Sequence, residues 1–203
     1  MCVAHESNLT KQQLIQATSE LMDEVSLEDL SAAMVLERAG ASKSSMYHFF
    51  EDFSDLLEAT FLVRFAASVQ ASDKVIKEII AHSTSKDGFF DALEDVTRKS
   101  QARANSAIRF QRARMLARSE RSERFRKSLG EIQQTLTDSL AEAFSQAQDK
   151  GFVTLKFEAR TMAVFIQAYT LGKIVDDITE NPMNDGDWEN LISTIAKRVI
   201  ASE

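Results

Sequence analysis

The sequence predicts an all-α protein, and three observations carry that expectation. Only one Pro and six Gly occur in 203 residues, so long stretches of chain contain no helix breaker. Apolar residues recur at spacings of three and four, the period of a helix with one buried face. Runs of β-branched residues alternating with polar ones, the mark of a half-buried strand, are missing. Hydrophobic residues are 44% of the chain, which suits a buried core and not a disordered segment.

The elements follow in order. A first helix is expected over residues 10–24, where Thr10 and Gln13 have the spacing of a capping box. Leu14, Ala17, Leu21 and Val25 lie on one stripe of it. Residues 26–30 lead to two short helices. Ser31 suits the N-cap of the first, residues 32–39 hold no breaker, and Gly40 supplies the left-handed conformation that ends a helix. Ser42 caps the second, which starts at Lys43 and stops before Glu51 and Asp52. A long helix is expected over 54–82, with Leu57, Phe61, Phe65, Val69, Ile76 and Ile80 inward.

Residues 83–88, STSKDG, read as a loop. A helix follows over 89–104, with Phe89, Leu93 and Val96 inward, then an arginine-rich helical stretch over 105–127, broken near Ser119. Phe125, Leu129, Ile132, Leu136, Leu140 and Phe144 continue at helical spacing to Lys150, with Gly151 as the C-cap. Residues 158–180 form the most apolar helix, with Met162, Phe165, Ile166, Tyr169 and Ile174 as its spine. After a loop holding Pro182, residues 188–200 make a last amphipathic helix, about nine in all.

Composition narrows the function. Cys2 is the only cysteine, so neither an intramolecular disulfide nor a thiolate metal cluster is possible, and a reducing cytoplasm is the expected home. Residues 1–10 lack the basic start and apolar run of a signal peptide, and no segment approaches 18 consecutive apolar residues. No Ser-His-Asp or Cys-His set, glycine-rich phosphate loop or zinc-spaced cluster occurs, so the chain is not expected to be an enzyme or to need a cofactor. His5 and His82 are lone, and His48 has no ligand-type neighbour at metal spacing on its face.

Charge is uneven. The whole chain carries −7. Residues 1–56 hold three basic side chains (Lys11, Arg38, Lys43) and ten acidic ones, again −7. Residues 98–127 hold eleven basic side chains against Glu120 and Glu123, a net of +9.

Residues 31–50, SAAMVLERAGASKSSMYHFF, are the most informative stretch. Two helices joined by so tight a glycine turn cross steeply, the geometry of a helix-turn-helix. In that motif the second helix lies in the major groove of DNA with its N-terminal residues at base edges. Met46 and Phe50, four apart, pack inward. Lys43, Ser44, Tyr47 and His48 then point outward or sideways.

The run Ala39, Gly40, Ala41, Ser42, Lys43, Ser44, Ser45, Met46 and Tyr47, closing at Phe50, resembles the recognition motif of the tetracycline-repressor (TetR) family of transcriptional regulators. The motif resemblance covers about residues 10–60; beyond it, only helix count, length and apolar pattern are similar. It implies a helix-turn-helix DNA-binding domain over 1–56, with the motif at 31–50, and an effector-binding and dimerisation domain over 57–203. It implies DNA contacts from Ser31, Ser42, Lys43, Ser44, Ser45, Tyr47 and His48, with Tyr47 on a phosphate and the Ser31 hydroxyl and amide on another. A helix N-terminus accepts an anion without a local lysine. The family also implies a homodimer through the last two helices, a palindromic operator, and a small-molecule effector that releases it.

Two positions depart from the pattern. Phe53 stands where the family most often has a phosphate-contacting lysine, behind the acidic pair Glu51 and Asp52. Leu36 and Ala41 exchange the usual small and larger residues, as if volume moved across the helix crossing; a core Leu36→Ala change then costs about 2–5 kcal/mol.

The effector side stays open in the sequence. Phe61, Phe65, Phe89, Phe110, Met115, Phe144, Phe165 and Tyr169 could each fill a core, and as a set suit the largely apolar cavity the family implies. The arginine stretch fits an auxiliary DNA surface, a pocket binding an anionic effector through Arg109 or Arg112, or solvated charges paired with acidic helices. A rival to the regulator is a helical interaction protein that kept the motif and lost operator binding.

Overall fold

The computed structural model describes residues 2–200, and their side chains from 9 to 199, so the side chains of Cys2 and His5 lie outside the described residues. The chain is all-helical, as expected, and no strand occurs among the described residues. By its internal contacts it divides into two compact units, 1–68 and 69–203.

In the first unit, α1 spans Cys2–Glu24. It starts before Thr10 because residues 3–9 hold neither Gly nor Pro, so Thr10 lies inside the helix and the expected capping box is not a start. Helix α2 spans Ala32–Ala39, and the Ser31 Oγ accepts from the Met34 amide at 3.4 Å. Gly40 ends it at φ 60°, with the Ala41 amide bonded to the Leu36 carbonyl at 3.0 Å. Helix α3 spans Lys43–Phe49. The first turns of α4, Phe53–His82, close the unit. Leu14, Val35, Met46 and Leu56 form its fully buried centre. The Thr18 and Thr60 hydroxyls donate back to the Leu14 and Leu56 carbonyls, so neither adds an unsatisfied group to that core. Leu36 is only partly buried. Its truncation therefore empties less space than a core site would, and the cost falls below the full-core range.

In the second unit, α4 continues to His82 and α5 spans Lys86–Gln101. The Ser85 hydroxyl accepts from the Gly88 amide at 3.1 Å, which draws 86–88 into the helix and shortens the expected loop. A 3-10 turn, Arg103–Asn105, leads to α6, Ser106–Ser119. Helix α7, Glu123–Asp149, starts at a Ser122 cap and is followed by Gly151 at φ 73°. The expected 158–180 helix is two: α8, Ala159–Gly172, and the single turn α9, Ile174–Asp177. The break falls at Lys173, whose buried ammonium donates to the Gln101 carbonyl at 2.6 Å and to Asp185 at 2.5 Å. Helix α10 spans Asp185–Ile200.

The apolar centre of this unit joins Ile80, Phe89, Phe90, Phe144, Ala147, Phe152, Val153 and Met162. Phe89 stacks on Phe152 with ring centroids 5.5 Å apart. Beside it runs a buried polar seam. Arg109 grips Asp177 through Nε at 2.5 Å and Nη2 at 2.7 Å. The Gln101 amide donates to Thr170, and its carbonyl oxygen accepts from the Trp188 indole. Phe165, expected in the spine of its helix, instead lies on the outer side with Val164.

Candidate functional site

Helix α3 turns one face in and one face out. Met46 and Phe50 are buried, which fixes the roll of this two-turn helix. Lys43, Ser44, Tyr47 and His48 consequently face water, as do Ser31 and Ser42, while Ser45 is half-buried. Tyr47 is 51% exposed, so its ring and hydroxyl are open to a partner. The Lys43 ammonium sits 5.8 Å from the Tyr47 ring centroid, so cation and phenol form one patch. The Ser42 Oγ accepts from the Ser45 amide at 3.0 Å and lies 2.8 Å from the Ser45 Oγ. These two serines hold the first turn in shape before any ligand arrives.

Charge around this face is spent internally. Arg38 bonds Glu24 at 2.7 and 2.8 Å and approaches Glu20 at 3.6 Å. Arg64 holds Asp23 at 2.6 Å and also donates to the Ser19 carbonyl. Hydrogen bonding to Arg64 keeps the Asp23 carboxyl below its ordinary value, and Arg38 does the same for Glu24. The acidic residues after α3 have a structural use as well. Asp52 Oδ1 accepts from the Asp55 amide at 2.8 Å, and Asp55 Oδ2 accepts from the Glu51 amide at 3.1 Å. This reciprocal capping opens α4 one residue before the expected Ser54, and its Asp-x-x-Asp spacing was legible in the sequence. Phe53, half-buried, is the first helical residue.

The second unit holds a half-open cavity of about 520 Å³. Ile76 and Ile79 of α4, Leu136 and Leu140 of α7 and Val96 of α5 give it hydrocarbon walls. Of the expected effector set, Phe89, Arg112, Phe144 and Tyr169 line it. Phe144, Phe165 and Tyr169 also line a neighbouring cleft of about 640 Å³ beside α10. Phe61, Phe65, Phe110 and Met115 line neither: Phe61 and Phe65 are buried in the first unit, and Met115 is buried on α6. Arg109 also lines neither, because Asp177 holds it in the polar seam. Burial lowers the Arg112 guanidinium from its ordinary value and raises the Tyr169 phenol. Ile76, Ile79, Leu136 and Leu140 were missed as site residues because their spacing is that of any core-facing stripe.

Among the described residues, no group of three His, Cys, Asp or Glu side chains is placed to hold a metal ion, and no helix is long and apolar enough to cross a membrane.

No family model matches the chain. In sequence it is similar to the HTH-type transcriptional regulator BetI of Proteus mirabilis (strain HI4320), 44% identical over 52 residues, 26% of each chain. The BetI of Yersinia pestis (strain Pestoides F) is 41% identical over 58 residues, 28% of this chain and 29% of that protein. The similarity thus spans little more than a quarter of the length of these relatives. Solved structures match almost throughout. A protein described as a TetR-family transcriptional regulator from Mesorhizobium loti MAFF303099 aligns with a TM-score of 0.73 at 14% identity, over 97% of this chain and 98% of that one. The TetR transcription regulator of Haloarcula marismortui ATCC 43049 gives 0.65 at 16%, over 94% and 98%. Reduced NemR of E. coli gives 0.64 at 16%, over 95% and 98%. Two layers of similarity, a local one in sequence and a nearly complete one in architecture, agree with the outward-facing α3. The chain therefore carries the fold of the TetR-family transcriptional regulators.

Proposed function

We propose that this chain is a cytoplasmic, homodimeric transcriptional regulator of TetR type, a repressor released from a palindromic operator by a small, largely apolar effector. The observation that carries the reading is the outward face of α3, where Tyr47, Lys43, Ser44 and His48 are exposed over a buried Met46 and Phe50. Such a helix fits the major groove, with Ser44, Ser45 and His48 toward phosphates or base edges and Tyr47 toward a phosphate. Ser31, exposed at the α2 N-terminus, suits a second phosphate through its amide and hydroxyl.

The rest of the reading follows the chain. Val164 and Phe165 of α8, Val175 of α9, Ile178 directly after it and Leu191 of α10 are exposed. A second copy is the simplest cover for so apolar a face, and a two-fold dimer matches a palindrome. The cavity wall residues Ile76 and Ile79 belong to the same helix as Leu56 and Phe61 of the first unit. Helix α4 is thus the route by which an effector shifts the recognition helices out of successive grooves. That route works only when the effector binds the two arrangements unequally.

A mobility shift with the DNA upstream of the protein's own gene, titrated with salt, tests the proposal. Sequence-specific binding is expected, and Tyr47→Ala weakens it at least tenfold while the melting temperature stays unchanged. The scarcity of unpaired cations on the first unit favours one rival, a helical interaction protein without an operator; absence of binding to any fragment at low salt would select it.

A further inference from the structure

We infer that Tyr169 sets the length of ligand the second unit accepts, as the bulk of a partition between the 520 Å³ cavity and the 640 Å³ cleft beside α10. This rests on reading the cavity as the effector site and names the residue that limits how long an effector chain can be.

Both voids fall within the size range of small-molecule sites, about 300–1,000 Å³, and they are not independent. Leu93, Thr97, Phe144, Ile166 and Tyr169 line both. A residue that borders two voids stands between them, so these five form a wall one residue thick. Helical spacing builds it. Leu93 and Thr97 are four apart on α5, Ile166 and Tyr169 are three apart on α8, and each pair shares a face. Phe144 of α7 completes the wall.

The five differ in what holds them. Phe144 is 7% exposed and belongs to the apolar core, and Leu93 and Ile166 pack against that core. Thr97 and Tyr169 are joined to each other instead, by a hydrogen bond between Thr97 and the phenol that spans α5 and α8. The Tyr169 ring also meets Phe165 edge-on, with centroids 5.4 Å apart, and Phe165 is itself exposed. Thr97 is short, so Tyr169 supplies the bulk of the partition that the core does not.

Hydrocarbon from Ile76, Ile79 and Leu140 is mixed in the cavity lining with Ser72, Ser100 and Gln167. Such a wall can hydrogen-bond one end of a neutral chain and bury the rest, and it singles out no one head group. Length is then the property the enclosure limits. A chain stopped at Tyr169 gains nothing from further methylenes, because they stay in water. With the ring gone, the same chain runs on into the cleft, whose lining includes Phe90, Met162 and Val199.

Competition by the straight-chain alcohols from hexanol to hexadecanol against the neutral fluorophore N-phenyl-1-naphthylamine, on the full-length, DNA-free protein, tests this. Each added methylene is expected to tighten binding by about fourfold up to a limiting length, beyond which affinity levels off. Tyr169→Ala is expected to move that limit by about two methylenes or more. Tyr169→Phe, which keeps the ring and loses only the hydroxyl, is expected to leave it in place. Circular dichroism verifies each fold, and Tyr169→Leu takes the place of an alanine protein that does not fold. An unmoved limit in a folded variant without the ring, an equal shift in Tyr169→Phe, no levelling within the series on the unaltered protein, or no displaceable fluorophore overturns the inference. The regulator reading fails separately. A limit that moves with Tyr169 in a protein that retains no DNA fragment would sink the regulator and leave the partition standing. DNA released by alcohols whose limit ignores Tyr169 would do the reverse.

Discussion

Arg109 and Asp177 are 68 positions apart and meet at 3% and 1% side-chain exposure. Removing one partner strands the other charge away from water, whereas replacing both by apolar residues leaves nothing stranded. Arg109→Met alone is accordingly expected to lower stability by about 3–5 kcal/mol, and the double change Arg109→Met with Asp177→Leu to recover most of it. Urea unfolding of the two proteins checks this. Sequence reading could name Arg109 and Arg112 as candidate anchors but not separate them. A carboxylate brought in by α9 holds Arg109 in the polar seam, and no local pattern records a contact between such distant positions. The α3 residues were easier. Which side of α3 faces water follows from Met46 and Phe50 alone, because four-residue spacing fixes the roll of a short helix.

At the scale of the elements, boundaries marked by a special residue were legible and those set by tertiary contacts were not. Ser31, Gly40 and Ser42 announced the limits of α2 and α3. Gly40→Ala tests the turn cleanly. A Cβ there meets nothing within 4 Å, so the whole cost is the left-handed backbone, and a loss of about 1 kcal/mol is expected after the stiffer unfolded chain is counted. Thermal unfolding would show a drop of a few degrees, and no drop would mean the turn had reshaped. The break in the 158–180 stretch was illegible, because nothing in GKIV forbids a helix. Lys173 itself keeps helical dihedrals, and its ammonium reaches Gln101 and Asp185, partners supplied by other elements.

At the scale of the whole molecule, the all-α class was readable from breakers and periodicity. The occupants of its surfaces and cavity were not, since an outward apolar stripe and an inward one have the same spacing. Val175 and Ile178 are each 70% exposed, so a charge placed there costs the isolated fold little. On the proposed homodimer, Ile178→Asp is expected to shift the protein toward monomer in sedimentation velocity while helicity is kept; an unchanged dimer would place the contact elsewhere. The internal pairing of Arg38 and Arg64 with α1 carboxylates has a different consequence. In the proposed DNA complex, with those cations occupied, few counterions leave the duplex, and the logarithm of affinity is expected to fall with that of salt at a slope of roughly −2 to −4. A protein so lightly tethered to bulk duplex slides little along it. On the proposed function, such a protein reaches an operator chiefly by direct encounter from solution, and occupancy then tracks the number of copies in the cell more closely than the length of flanking DNA.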